Sequence, residues 1–278
     1  MHRKNAPIGV FDSGMGGLTV LKALQEALPH EEFIYIADSA HSPYGTKGAE
    51  LVHQFSQNIA NYFECHQVKA IVVACNTASA VLKQQPLQNI EAPVFEVITP
   101  TVKSVQGQHV GAIGTATTIG SGAYAKALQE AGKGLEWAKA TPMLVPLVEE
   151  GLTTDPIADV LLKHYLADLP NTIDTLILGC THYPMLKGNI QKLLPNVPLV
   201  DAADATAAAV KAFLVNTQML TETTQGKATL FTTGDAKVFN QLQSLAGFTF
   251  GHAKKLDLIS EAELSNEHDS NVAVIATA

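Results

Sequence analysis

The amino-acid sequence predicts an α/β protein built on parallel β-sheets. Short apolar runs that suit buried strands alternate with segments whose apolar residues recur at helical spacing. Two of the apolar runs, 68–77 and 173–182, end alike, in a small residue, a cysteine and hydrogen-bonding side chains. Such alternation is typical of sheets whose strands are connected by helices. The likeness of the two runs suggests two related halves that face each other.

The predicted strands are apolar runs bounded by turn-forming residues. In chain order they are 8–11, 33–37, 70–74, 94–97, 110–113, 144–146, 176–178 and 199–200, and a further strand ends near Phe231. The predicted helices lie between them, at 18–28, 50–64, 78–84, 122–131, 156–164, 184–194 and 203–215.

Ile98-Thr99-Pro100 is predicted to be a crossover into a second unit, because proline discourages helix at the preceding residue. The helix at 203–215 would then return the chain to the first unit. The pattern gives no placement for residues 260–278, which are polar and then apolar.

Composition narrows the class of protein. A chain of 278 residues with 46% hydrophobic and 16% charged residues can build one large or two modest cores, which excludes wholesale disorder. A net charge of −8 without a Lys/Arg cluster argues against nucleic acid and anionic membranes as partners. Three widely spaced cysteines do not suit a secreted disulfide framework. With no signal-peptide core or membrane-length apolar stretch, we expect a cytoplasmic protein.

The loop Phe11-Asp12-Ser13-Gly14-Met15-Gly16-Gly17 links a predicted strand to a predicted helix. Its glycines would let the backbone approach a ligand, and the helix N-terminus would attract a carboxylate or phosphate. A dinucleotide fingerprint would need glycine where Thr19 stands, and no P-loop lysine follows. The alternative interpretation is a tight turn capped by Asp12.

A second polar loop, 37–45, follows the next strand. Tyr44 could offer its hydroxyl or ring to a ligand, while Pro43 and Gly45 shape the turn. The alternative is that this segment is only a turn.

Cys75 and Cys180 stand at the carboxyl ends of predicted strands, where open α/β sheets bind ligands. We expect the following helix N-terminus to lower the thiol pKa below its free value of about 8.5. Two thiols on opposite faces of one substrate could remove a proton from one face and deliver one to the other, which inverts a stereocentre. The alternative is that they are inert buried cysteines, as Cys65 is predicted to be in its helical segment.

His182 could be a metal ligand, a general acid/base or a structural residue. A zinc site would normally show ligand pairs such as C-x-x-C, which the sequence lacks, so we predict no metal. Glu149 and Glu150 offer carboxylates near the predicted strand 144–146, although such a pair is often solvated. No cofactor-binding motif is found, so we predict no cofactor.

Seven motifs, in this order, resemble the glutamate racemases of the cofactor-independent aspartate/glutamate racemase superfamily. They lie at 8–17, 43–45, 74–78, 114–124, 145–149, 178–184 and 232–235. The resemblance implies that Cys75 and Cys180 are the acid/base thiols, with Asp12 supporting Cys75, and His182 and Glu149 supporting Cys180. The substrate contacts that it implies are Asp12, Ser13, Tyr44, Gly45, Asn76, Thr77, Thr181 and His182. The choice between Glu149 and Glu150, and the role of His41, stay open.

The resemblance also implies two similar α/β domains with parallel sheets and an active site in the cleft between them. We place the first domain at 1–98 and 207–278 and the second at 99–206. The implied activity is cofactor-independent conversion of L-glutamate to D-glutamate for peptidoglycan synthesis, and hence cell-wall biogenesis and cell shape. We further expect a homodimer that binds neither nucleic acid nor membrane.

Two alternatives remain at this stage. The same thiols could racemise aspartate or another acidic amino acid. A non-catalytic protein on the same scaffold could instead bind a small carboxylate or a partner protein, although the retention of both cysteines with Asp12, Glu149 and His182 speaks against this.

Overall fold

The apolar runs of the sequence pair into two separate parallel sheets in the computed structural model, which describes residues 4–258. The strands described are β1 (Ile8–Asp12), β2 (Phe33–Ala37), β3 (Ala70–Val73), β4 (Val94–Glu96), β5 (His109–Gly114), β6 (Gly134–Ala140), β7 (Thr175–Gly179), β8 (Leu199–Val200), β9 (Ala228–Thr232) and β10 (Lys254–Lys255). The α-helices described are α1 (Leu18–Ala27), α2 (Ala49–Cys65), α3 (Asn76–Leu82), α4 (Ile98–Ser104), α5 (Ala116–Gly120), α6 (Ala123–Glu130), α7 (Leu144–Glu149), α8 (Pro156–Tyr165), α9 (Lys187–Leu193), α10 (Ala203–Asn216) and α11 (Ala236–Leu245).

The two sheets repeat one strand order. The first sheet runs β10-β9-β2-β1-β3-β4 and the second runs β6-β5-β7-β8, so the order 2-1-3-4 recurs as 6-5-7-8. The prediction of two similar α/β halves is thereby confirmed. The strands that precede the two candidate thiols, β3 and β7, occupy equivalent places. Both are buried along their whole length, as parallel strands covered by helices should be.

A shared apolar core joins the two sheets. Helices α1 and α10 contact each other, and Leu21 and Leu24 of α1 pack in one cluster with Val210 and Leu214 of α10. The same cluster includes Leu178 of β7 and so reaches the second sheet. The strand ends of the two sheets are therefore held on a common support.

The predicted strand at 144–146 is wrong, because these residues begin α7. A three-residue apolar run fits a buried strand or a buried helix equally well. Pro146 is the third residue of this helix, in the first turn, where the missing N–H leaves no bond unmade.

The predicted crossover at 98–100 does lie between β4 of the first sheet and β5 of the second. It is, however, the start of a helix, α4, with Pro100 in the first turn, so the expectation that the proline discourages helix here is wrong. The Glu96 carboxylate accepts hydrogen bonds from the backbone N–H groups of Ile98 at 2.6 Å and Thr99 at 3.0 Å. Because this side chain satisfies the first-turn donors, the proline does not prevent the helix.

Besides α4 and α7, four further elements were not anticipated, namely β6, β10, α5 and α11. Along β6, exposed and half-buried residues alternate at the edge of the second sheet, so the continuous apolar run of a buried strand is missing. The return of the chain to the first sheet is seen in β9, which pairs with β2. The domain boundaries themselves stay a prediction, and residues 260–278 lie outside the described part. Between residues 4 and 258 the structure contains no helix that is long and apolar enough to cross a membrane.

Candidate active site

The strand registers bring the predicted site residues to one edge of each sheet. In the first sheet, Asp12 at the end of β1 is level with Ala37 of β2, and β3 ends two residues before Cys75. In the second sheet, Gly114 at the end of β5 pairs with Gly179, which directly precedes Cys180. The carboxyl ends of the central strands therefore present their following residues side by side, as expected for a ligand site.

The ends of the two sheets enclose a small cavity of about 20 Å³. It is lined by Ser13, Pro43, Tyr44, Gly45, Cys75, Asn76, Thr77, Thr115, Val145, Cys180, Thr181 and His182. Nine of these were predicted as site residues, and both candidate thiols are among them. A cavity of this size holds about one water molecule, so the structure represents a closed site.

Cys75 caps the N-terminus of α3. Its Sγ accepts the backbone N–H of Ala78 at 3.5 Å, and its thiol donates to the Ser13 hydroxyl at 3.8 Å. Burial raises the pKa of Cys75 to about 12, and the charge of Asp12 adds to the effect. The expected lowering of this pKa is therefore wrong, because one helix N–H and one hydroxyl do not offset the loss of water around a thiol that is 4% exposed.

Cys180 lies at the end of a chain of polar contacts. Its Sγ is 3.8 Å from Nδ1 of His182, whose Nε2 lies 3.0 Å from Oε1 of Glu149. Burial lowers the pKa of His182, but its bonds to Cys180 and Glu149 outweigh burial and raise this pKa to about 10. The imidazole is therefore protonated at neutral pH, and Glu149 provides the balancing charge.

Glu149, rather than Glu150, faces this histidine. It is the last residue of α7 and is half-buried, whereas Glu150 is exposed. The expectation that these carboxylates follow a strand was wrong, but the C-terminal end of the helix still places Glu149 next to His182.

Asp12 is fully buried and closes the turn after β1. Its Oδ2 accepts the backbone N–H groups of Gly14 at 3.1 Å and Gly17 at 3.0 Å, while Oδ1 accepts the Thr181 hydroxyl at 3.3 Å. Burial raises the pKa of Asp12, an effect that the charge of His182 opposes. The carboxylate is thus bonded to the neighbour of Cys180 and affects Cys75 through its charge.

The glycines of this loop make room for side chains of the site. A Cβ at Gly16 would lie 2.5 Å from the Thr181 Oγ1 atom and 2.6 Å from the His182 Nδ1 atom. A Cβ at Gly17 would lie 2.4 Å from that of Asp12. Only glycine permits this close packing.

Asn76 and Thr77 begin α3 and face the second sheet. The amide oxygen of Asn76 accepts the Tyr124 hydroxyl at 2.6 Å, but its Nδ2 is buried and has no hydrogen-bond partner. The Thr77 hydroxyl lies 2.9 Å from that of Thr115. An unpaired buried amide in a cavity wall is a donor available to a ligand oxygen.

Three lining residues were missed by the sequence analysis, namely Pro43, Thr115 and Val145. Thr115 directly follows β5, so the strand-end rule that selected Cys75 would also have found it. Tyr44 lines the cavity, but its hydroxyl donates to Asp38 at 2.5 Å. The predicted use of this hydroxyl by a ligand therefore competes with a bond inside the protein.

Some candidates lie elsewhere. Cys65 is exposed at the end of α2 and outside the cavity, so the prediction that it is a buried cysteine is wrong. His41 pairs with Asp38 at 2.9 Å and stacks on Phe55, behind Tyr44. Across residues 4–258, no group of three or more His, Cys, Asp or Glu side chains is arranged to hold a metal ion.

Comparison with known proteins identifies close relatives. The model of the Asp/Glu/hydantoin racemase family matches residues 8–210. A glutamate racemase of Thermus thermophilus is 46% identical over 248 residues, which cover 89% of this chain and 95% of that relative. The glutamate racemase of Aquifex aeolicus is 46% identical over 213 residues, covering 75% of this chain and 84% of that relative.

Solved structures agree with this relationship. The glutamate racemase of Thermus thermophilus in complex with β-chloro-D-alanine superposes with a TM-score of 0.87 at 45% identity, covering 92% of this chain and 98% of the other. That of Francisella tularensis in complex with D-glutamate gives 0.85 at 35% identity, with coverage of 92% and 98%. An aspartate racemase from Picrophilus torridus, at 18% identity and a TM-score of 0.58, shares the fold.

Proposed function

Because the chain belongs to the glutamate racemases of the Asp/Glu/hydantoin racemase family and is an amino-acid racemase, we propose that it interconverts L- and D-glutamate with Cys75 and Cys180 as the two acid/base groups. The observation that carries the proposal is the placement of these thiols at equivalent strand ends in the wall of one cavity. Their supporting groups differ, since Cys75 has Ser13 nearby whereas Cys180 has His182.

In the proposed reaction, one cysteine begins as a thiolate and the other as a thiol. The thiolate takes the Cα proton from one face of the amino acid, and the thiol gives its proton to the opposite face. After one inversion the thiolate and thiol have exchanged places, so the product enantiomer meets the opposite starting state. No electron sink other than the amino acid's own carboxylate is involved, hence no cofactor and no metal.

The carbanion-like state requires hydrogen-bond donors at the substrate carboxylates. The unpaired Nδ2 of Asn76 is one such donor, and the hydroxyls of Ser13, Thr77 and Thr181 line the same cavity. Asp12 holds Thr181, and its negative charge suits the substrate ammonium group. That ammonium would also offset the charge that helps to keep Cys75 protonated, which favours thiolate formation once substrate is bound.

The remaining parts of the proposal concern the cell. The relative from Francisella tularensis was solved with D-glutamate, and we assign the same product to this chain. D-glutamate would then serve peptidoglycan synthesis in the cytoplasm, and the active form would be a homodimer. Charge and composition give no reason to expect nucleic acid or membrane as a partner.

The experiment compares L-glutamate with L-aspartate, using purified protein, no added cofactor and EDTA in the buffer. Optical rotation should decay to zero with glutamate and change far more slowly with aspartate. Faster decay with aspartate would identify an aspartate racemase. Loss of turnover in EDTA that zinc restores would contradict the metal-free mechanism.

A further inference from the structure

Asp38, a buried carboxylate outside the cavity, lies within hydrogen-bond distance of three other side chains. It follows β2 and is 1% exposed. Its Oδ2 accepts the Tyr44 hydroxyl at 2.5 Å, its Oδ1 accepts the Thr233 hydroxyl at 2.6 Å, and Nδ1 of His41 lies 2.9 and 3.0 Å from the two oxygens. Short O–H···O⁻ bonds are roughly twice as strong as neutral ones. We call Asp38, His41, Tyr44 and Thr233 the Asp38 cluster.

The cluster supports one wall of the catalytic cavity. Tyr44 and Gly45 line the cavity beside Cys75, while the Tyr44 hydroxyl points away to Asp38. Gly45 packs so closely on the second half that a Cβ there would lie 2.5 Å from Cβ of Thr115. The Gly45 carbonyl also accepts the Thr117 hydroxyl at 3.1 Å. A shift of Tyr44 would therefore alter both the cavity and the contact between the halves.

Thr233 comes from a distant part of the chain. It follows β9, which pairs with β2, and its Oγ1 accepts the backbone N–H of Ala40 at 3.1 Å. The neighbouring Ser39 hydroxyl accepts the backbone N–H of Gly234 at 3.1 Å. These bonds tie the loop that contains Tyr44 to β9 at two points.

The outer side of the cluster is closed by aromatic stacking. The rings of His41 and Phe55 lie 4.0 Å apart at an interplanar angle of 14°, and the ring of Tyr44 lies 5.8 Å from that of Phe55. Burial, together with the charge of Asp38, raises the pKa of Tyr44 well above its usual value. The phenol therefore stays a donor to Asp38 at every pH at which the protein would work.

We propose that Asp38 and Thr233 are positioning residues for the racemase reaction. Acting through the Tyr44 hydroxyl, they hold the wall formed by Pro43, Tyr44 and Gly45 at the distance from Cys75 that a bound amino acid requires. Neither residue lines the cavity, and Asp38 is bonded to Tyr44, which does, so both would act through Tyr44 rather than by contact with the substrate. The proposal rests on the proposed function for its substrate, while the bonded cluster is independent of it.

The first test is kinetic and uses Asp38→Asn and Thr233→Val, with Asp168→Asn and Thr217→Val as controls at exposed sites. We expect KM for glutamate to rise at least tenfold in Asp38→Asn and about threefold to tenfold in Thr233→Val, with a smaller change in kcat and none in the controls. The double variant Asp38→Asn/Tyr44→Phe should be no worse than the worse single variant, because both changes break the same bond. If the increases in KM of the two single variants multiplied in the double variant, the proposal would be overturned.

The second test does not depend on turnover. Alkylation of Cys75 by iodoacetamide, followed by mass spectrometry with the exposed Cys65 as internal reference, should be several-fold faster in the cluster variants. Thr233→Ser keeps the hydroxyl and should react like the unaltered protein, which preserves the test if Asp38→Asn fails to fold. Equal alkylation in Thr233→Val and Thr233→Ser would overturn the positioning role. Faster alkylation in a protein that does not racemise glutamate would retain that role and reject the proposed function.

Discussion

At the residue scale, the surroundings of the three thiols divide them into two classes. Cys75 and Cys180 are 4% and 6% exposed in the wall of one cavity, whereas Cys65 is exposed on α2. We expect Cys75→Ser and Cys180→Ser each to lower racemisation at least a thousandfold, because a serine hydroxyl is far less acidic than a thiol. Cys65→Ser should change little. Circular dichroism of L- and D-glutamate solutions measures the loss.

Each serine variant should still perform half of the chemistry. Elimination of HCl from a chlorinated glutamate needs only proton abstraction by the surviving thiolate. The two variants should therefore prefer opposite enantiomers of this analogue. Near-normal racemisation by either variant, followed by deuterium exchange at Cα, would contradict the two-thiol mechanism.

A second residue-scale prediction concerns Glu149, which lies 3.0 Å from the His182 ring. Glu149→Gln removes the negative charge and should lower the pKa of His182 from its value of about 10. The alkaline limb of the pH–rate profile should then move to lower pH, with a loss in kcat of roughly tenfold to a hundredfold. Glu150→Gln is the matched control and should leave the profile in place. Identical profiles for the two variants would remove Glu149 from the mechanism.

The same pKa has a consequence for stability. The pKa of His182 in the folded protein is raised above 6.5, so its contribution is fully present below about pH 6.5 and is lost as pH rises through about 10. Urea unfolding between these pH values should show a decline that is smaller in Glu149→Gln.

A site residue can be predicted from the sequence when it belongs to a local motif. Cys75 and Cys180 stand in recognisable strand-end motifs, and Thr115 obeys the same rule. Glu149 rather than Glu150 is chosen because its side of α7 faces His182, which lies 33 residues further along the chain. No local sequence pattern specifies that orientation. The high pKa of Cys75 depends on burial by segments far away in sequence.

At the element scale, the loop between β1 and α1 limits how closely the two halves pack. Gly16→Ala would place a methyl group 2.5 Å from Oγ1 of Thr181 and 2.6 Å from Nδ1 of His182. We expect a fall in kcat of at least tenfold, because both side chains must move. Gly188→Ala, in α9 with open space around it, is the control and should raise the free energy of unfolding by about 0.4–1 kcal/mol without loss of activity. Steady-state kinetics and urea unfolding on both variants provide the comparison.

Element prediction succeeded where length and burial agreed. The central strands β1, β3 and β7 are continuous apolar runs, and their places follow from the sequence alone. The edge strand β6 lacks such a run because only one side of it is half-buried. The prediction at the start of α7 failed although these residues form an apolar run, because a buried helical turn and a buried strand have the same pattern over three residues.

At the scale of the whole molecule, the cavity of about 20 Å³ is smaller than an amino acid, so we expect the halves to separate when one enters. The Thr117 hydroxyl donates across the two halves to the carbonyls of Gly45 and Lys47, both at 3.1 Å. Thr117→Val should favour the open form and raise KM for glutamate up to about tenfold, since a hydrogen bond contributes about 1 kcal/mol. Thr172→Val, at an exposed hydroxyl, is the control. An unchanged KM in Thr117→Val would mean that this bond does not hold the site closed.

The repeated strand order also bears on the thermodynamics of inversion. Enantiomers of glutamate have equal free energies in water, so their equilibrium constant is one. The Haldane relation then requires equal kcat/KM for the two directions, however different the groups around Cys75 and Cys180 are. The different residues beside the two equivalent strand ends can therefore change kcat and KM for one enantiomer only by the same factor. The two halves of the site can differ in structure, but the ratio kcat/KM stays equal for L- and D-glutamate.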